Sequence, residues 1–210
     1  MKENNYIVIE GLIGVGKTAL AKLLAERMEA RLILENSEGN PFLKDFYKDK
    51  ERFAFQTQIF FLLSRFKQQQ ELLEYDLFAQ RIVSDYLFAK DKIFASVVLD
   101  EKEFHLYKRL ILLLERDIPR PDLVIYLQAT PEKLLKKIKE RGKEYEIDIE
   151  LGYLLDLNEA YNRYFFHYKE SPLLVINTDN FDFVNSETEL NDLLEKIKTA
   201  HTGTRYYTRG

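Results

Sequence analysis

Gly11-Leu12-Ile13-Gly14-Val15-Gly16-Lys17-Thr18 reads G-x-x-x-x-G-K-T, the residue types and spacing that wrap a chain of phosphates. Glycines let successive backbone N–H groups turn inward around phosphate oxygens, and a side chain at Gly16 would block that approach. A helix starting at Lys17 adds its positive dipole end to the same spot. Lys17 supplies a point charge to the outer phosphates, and the Thr18 hydroxyl is placed to ligate Mg²⁺. The expected phosphate-binding set is Gly11, Gly14, Val15, Gly16, Lys17, Thr18 and Ala19. Such a chain binds a nucleoside triphosphate.

The elements around this loop must hold it at the end of a buried strand. Tyr6-Ile7-Val8-Ile9 precedes it, and the apolar-striped Ala19-Leu20-Ala21-Lys22-Leu23-Leu24 follows. Strand-like runs recur at 5–10, 31–35, 81–84, 122–128 and 172–177, with helical period between them. That alternation predicts an α/β fold with a five-stranded parallel sheet flanked by helices. Pro121 and Pro172 punctuate the approach to two strands, and Thr130-Pro131-Glu132 predicts a capped helix start. Residues 50–78 read as one long helix, with Phe53, Phe60, Leu63, Phe66 and Leu73 forming its apolar faces. Residues 1–200 form a single expected domain. The 201–210 tail lacks helical period, and reads either as a disordered end or, through Tyr206 and Tyr207 between arginines, as a docking segment.

Bulk composition narrows the class. With 210 residues, 46% hydrophobic and 31% charged, the chain can bury a proper core. No apolar run approaches a membrane span, and the strand beginning right after Met1-Lys2-Glu3-Asn4-Asn5 leaves no expected room for a signal peptide. There is no cysteine, and the three histidines lie far apart, so thiolate chemistry and a His metal cluster are not expected. A formal charge of −4 argues against nucleic acid as the main partner. A cytoplasmic enzyme with a small-molecule partner is the expectation.

The loop alone does not separate kinases, GTPases and ATPase motors. No Asn/Thr-Lys-x-Asp guanine-reading motif occurs. Lys136-Lys137-x-Lys139-x-Arg141-Gly142-Lys143 is either a solvated helix face or a cationic lid over phosphates, and its bunching before a glycine favours the lid.

Asn40-Pro41-Phe42-Leu43-x-x-Phe46-Tyr47, Ala54-Phe55-x-x-Gln58, Arg141-Gly142-Lys143-x-x-Glu146 and Tyr153-Leu154-x-x-Leu157-x-x-x-Tyr161 together resemble the deoxynucleoside kinase family, from the phosphate loop to about residue 184. The resemblance implies a P-loop nucleoside/nucleotide kinase fold with a basic lid. It also implies transfer of the γ-phosphoryl of ATP to the 5′-hydroxyl of a deoxynucleoside, with Mg²⁺, usually in a homodimer. Glu35 matches the family's catalytic carboxylate, with Glu38 a nearby competitor; Lys17 and Arg141 complete the implied catalytic set. Gln58 matches the base reader, Arg65 lies two turns on, and Asp91 and Phe94 follow on a gapped match. Tyr47 and Glu146 match the pair that bonds the sugar 3′-hydroxyl. Lys137, Arg141 and Lys143 match the lid, and Asp182-Phe183 match a loop beside adenine, or else an ordinary turn. Asp85 falls where an acidic residue helps to hold Mg²⁺.

Here the chain departs from the family. The usual Asp/Glu-Arg-Ser reads Asp85-Tyr86-Leu87, so the arginine that steadies the acceptor hydroxyl and the catalytic carboxylate is missing. Either another cation substitutes or transfer is weaker. A thymidylate kinase-like monophosphate kinase and a non-catalytic nucleotide-binding subunit remain the competing functions. Lost arginine counts against the first; intact Lys17, Thr18, Glu35 and Asp85 count against the second. Purine deoxynucleosides are the weakly preferred substrates.

Overall fold

Tyr6–Gly11 forms β1, a β-branched run buried along its whole length, as suits the centre of a parallel sheet. The computed structural model describes residues 5–74, 81–200 and 202–208. Among these, the other strands are β2 (Arg31–Ile33), β3 (Ile82–Ser84), β4 (Leu123–Gln128), β5 (Leu173–Asn177) and β6 (Thr204–Tyr207). All pair in parallel in the order β2-β3-β1-β4-β5-β6. The helices are α1 (Lys17–Arg27), α2 (Leu43–Lys48), α3 (Lys50–Glu74), α4 (Lys90–Val98), α5 (Glu101–Leu114), α6 (Pro131–Arg141), α7 (Leu151–Phe166) and α8 (Glu187–Thr199).

Strand order sets where a ligand can enter. The chain leaves β1 toward the β2 edge, then crosses back over it between β3 and β4. Open α/β sheets form their crevice at such a switch, beyond the carboxyl ends of the strands. The main core packs the sheet against α1, α6 and α7, through Leu20 and Leu24, Leu134 and Ile138, and Leu154, Leu157 and Tyr161. A smaller cluster of Leu62, Ala95, Tyr107 and Ile111 ties α3, α4 and α5 together.

Among the described residues the sheet has six strands, not the five expected. β6 escapes the apolar-run criterion because Thr204, Arg205 and Tyr206 are exposed. Backbone pairing alone makes it a strand, in register Leu174 with Arg205 and Val175 with Tyr206. The tail thus docks along the sheet edge over 204–207, while 201, 209 and 210 lie outside the described residues.

The long helix is present as Lys50–Glu74, and positions 75–78 of the expected span lie outside the described residues. Its buried face differs from the apolar one expected. Leu63 is 55% exposed, whereas Thr57, Gln58, Arg65 and Gln69 are buried at helical spacing with Ala54 and Leu62. A buried polar stripe is costly unless each group finds a partner. α6 starts at Thr130-Pro131 as expected, but the Thr130 hydroxyl turns to Asp179 Oδ1 at 3.4 Å instead of capping the helix.

Candidate active site

Gly16 adopts φ +105° as the residue before α1, and Gly11 has φ +152° with only 2.5 Å between a would-be Cβ and the Leu127 carbonyl oxygen. Neither position tolerates a side chain, so the loop keeps its inward-facing N–H groups at the end of β1. Lys17 folds back over it and donates to the Gly11 and Leu12 carbonyls at 2.7 and 2.9 Å. Burial, with Lys90 next, lowers its ammonium to about 8.

Across from the loop opens a cavity of about 310 Å³. Gly14, Lys17 and Thr18 line it together with Glu35, from the segment after β2. Asp85, just past β3, links the two: its Oδ2 accepts the Thr18 hydroxyl at 2.5 Å and its Oδ1 accepts the Glu35 N–H at 2.7 Å. Thr18 and Asp85 offer only hard oxygen donors, which fits Mg²⁺, an ion usually held by one or two protein oxygens plus substrate phosphate and water. Among the described residues no cluster of three or more His, Cys, Asp or Glu could cage a metal by itself.

Glu35 is held by two cations. Its Oε1 accepts from Arg65 Nε at 2.9 Å, and its Oε2 accepts from Lys90 Nζ at 2.7 Å. Burial alone would raise this carboxyl, but Arg65 and then Lys90 hold it well below the usual carboxylate range. Glu38, the competitor, also lines the cavity but is 70% exposed and paired with Lys143 at 3.1 Å. Of the two acids, Glu35 is the one that is fixed in place.

Gln58 and Arg65 stand together on the buried stripe of α3, with Phe61 and Phe94 as aromatic walls. Arg65 reaches past the cavity to an ion pair with Asp91, and its guanidinium lies 4.8 Å from the Phe61 ring centroid. Asp91 is fully buried behind it, and burial pushes its carboxyl up to about 6 against the pull of Arg65. Tyr47 and Glu146 share another wall of the same cavity, and Glu146 pairs with Arg141. Arg141 and Lys143 line the cavity mouth; Lys137 does not. Helical spacing explains the split: Arg141 follows buried Leu134 and Ile138 on one side of α6, though itself exposed, while Lys137 lies on another, exposed side.

The two residues after β5 part company. Phe183 is buried with its ring 3.3 Å from a Cβ built on Gly16, so it packs on the phosphate loop. Asp182 is exposed, and its carboxylate accepts the Val184 and Asn185 N–H groups at 3.2 and 3.1 Å in the turn before α8. Gly11, Val15, Gly16 and Ala19 complete the loop without lining the cavity.

Three contributors escape the sequence reading. Thr57 lines the cavity with a buried hydroxyl that has no partner among the described residues. Glu10, wholly buried in β1, accepts the Gly11 and Leu87 N–H groups at 2.8 Å each and the Tyr161 hydroxyl at 3.1 Å, fixing the loop's entry. Lys90 opens α4, where a lysine opposes the macrodipole and needs a nearby anion to offset it.

Residues 7–201 match the family model described as deoxynucleoside kinase. The chain is 33% identical to the deoxyguanosine kinase of Bacillus subtilis, over 92% of this chain and 96% of that one. It is 35% identical to the deoxyadenosine kinase of Dictyostelium discoideum, over 97% and 82%. Its fold superposes on a solved deoxyadenosine kinase from M. mycoides with bound dCTP at a TM-score of 0.78 and 25% identity, covering 92% of this chain and 98% of that one.

Proposed function

The chain belongs to the deoxynucleoside kinase family, an ATP-dependent phosphotransferase acting on deoxynucleosides, and from that premise we propose that Glu35 serves as its base. Glu35 accepts the 5′-hydroxyl proton while that oxygen bonds the γ-phosphorus and the bond to the β-phosphate oxygen breaks, leaving deoxynucleoside monophosphate and ADP. A carboxylate so strongly stabilised is a weak base. It suits a loose phosphoryl transition state, in which the hydroxyl becomes acidic only as the new bond forms. Lys17 and Arg141 balance the charge on the transferring group from opposite sides. Thr18 and Asp85 are the residues that would hold Mg²⁺, which when bound neutralises charge shared between the β- and γ-phosphates.

On the acceptor side, Gln58 reads the base edge with its donor and acceptor, Arg65 and Asp91 back it, and Phe94 stacks on the base. Tyr47 and Glu146 bond the 3′-hydroxyl. Lys143 joins the lid. Purine deoxynucleosides are the preferred acceptors, a reading supported by the names of the relatives above, deoxyguanosine and deoxyadenosine kinase. We place the enzyme in the cytoplasm as a homodimer in deoxynucleoside salvage. Among the described residues no helix is long and apolar enough to cross a membrane, and exposed Leu106, Leu110 and Leu113 on α5 offer a subunit contact.

The observation that carries the reading is that Glu35 and the phosphate loop face one cavity. ADP release measured across a panel of deoxynucleosides and monophosphates tests it. Turnover with deoxyguanosine or deoxyadenosine is expected. Turnover with thymidylate and no nucleoside, or with nothing, would overturn it.

A further inference from the structure

We propose that Lys90 is the positioning residue that anchors Glu35 opposite the phosphate loop, supplying from α4 the cation that position 86 lacks. The inference rests on the kinase reading above and deepens it.

Tyr86 cannot take that part. Its side chain is fully buried, its hydroxyl accepts from Gln69 Nε2 at 3.2 Å, its ring lies 5.9 Å from the Arg65 guanidinium, and it is not among the residues that line the cavity. Lys90 by contrast lines the cavity, is 5% exposed, and places Nζ 2.7 Å from Glu35 Oε2. An ammonium buried at the opening turn of a helix loses hydration and meets the unfavourable dipole end, so an apolar residue would be the less costly occupant. The compensation present is the Glu35 carboxylate. Its other oxygen faces Arg65, which is shared with Asp91. Lys90 therefore steadies the oxygen left to meet the acceptor, whatever Arg65 does when a base arrives.

The surroundings define a distinctive readout. Glu35 is faced by Arg65 from α3, Lys90 from α4, Lys17 from α1, Asp85 after β3 and the Tyr47 hydroxyl from α2. Behind these stand Asp91, Tyr86 and, from α7, Tyr161. Lys17 feels Lys90 against Glu10, Glu35 and Asp85. Removing the Lys90 charge leaves Glu35 to Arg65, which Asp91 shares, so the loss falls on turnover and leaves ATP binding near that of the wild type.

The test is steady-state kinetics of the full chain with ATP and a deoxynucleoside that the wild type accepts. Lys90→Met is expected to lower kcat by about thirtyfold or more with KM for ATP within about threefold. Lys90→Arg is expected to recover most of the lost kcat. Lys90→Gln replaces the Met variant should the latter fail to give a folded melting transition. Wild-type kcat in the Met or Gln variant would overturn the role of Lys90 while leaving the kinase reading intact. A wild type that phosphorylates no deoxynucleoside would take both down.

Discussion

The Asp85 carboxylate accepts the backbone N–H of Glu35 at 2.7 Å. One side chain at the end of β3 therefore fixes the backbone of the proposed base, while its second oxygen holds the Thr18 hydroxyl of the phosphate loop. Base and phosphate site are set at a common spacing before any substrate arrives, which is the preorganisation that an in-line transfer needs.

Asp85→Ala should accordingly lower kcat by about a hundredfold or more, because it removes a metal ligand and frees the Glu35 backbone together. Kinetics at saturating ATP and nucleoside check this. A loss confined to KM would mean that Asp85 only helps binding.

ATP capture should depend on pH through Lys17. Its ammonium sits at about 8 in the free protein, lowered by burial first and by Lys90 second. Below that pH it is charged and ready for phosphate; above it, a growing fraction is neutral, and binding must take up a proton. The ratio kcat/KM for ATP should be flat near pH 6–7 and fall as pH rises through about 8. Lys17→Arg, charged throughout, should remove that fall at the cost of a lower plateau.

The tail should matter to ATP and not to the nucleoside. Tyr207 on β6 meets the Phe181 ring edge-on at 5.3 Å, Phe181 meets Phe183 at 5.9 Å, and Phe183 packs on Gly16. Tyr207→Ala removes one member of this stack, and KM for ATP should rise by about threefold to tenfold while KM for the nucleoside stays put. Equal changes in both would show that the tail supports the fold at large.

The phosphate loop and the central strands were legible because geometry leaves few residue types able to do their work: glycine at φ +105° and long buried apolar runs in β1 and β4. β6 was not legible, since an edge strand held by its backbone can keep its side chains in water. α3 misled for the opposite reason. Its phenylalanines are only partly buried and Leu63 is exposed, while the fully buried stripe carries Thr57, Gln58, Arg65 and Gln69, the first three lining the cavity and Gln69 bonded to Tyr86. Glu35 could be read from its place after β2, whereas Lys90 could not, because only the folded chain shows which carboxylate its ammonium meets.

Conversion of Glu35 to glutamine keeps the shape of the side chain and removes its capacity to take a proton, so it tests the central claim most directly. With ATP and deoxyguanosine or deoxyadenosine, the wild type should form the 5′-monophosphate, and Glu35→Gln should form it about a hundredfold more slowly with ATP affinity changed by less than about threefold. Monophosphate formed by the variant at the wild-type rate would contradict the assignment of Glu35 as the base.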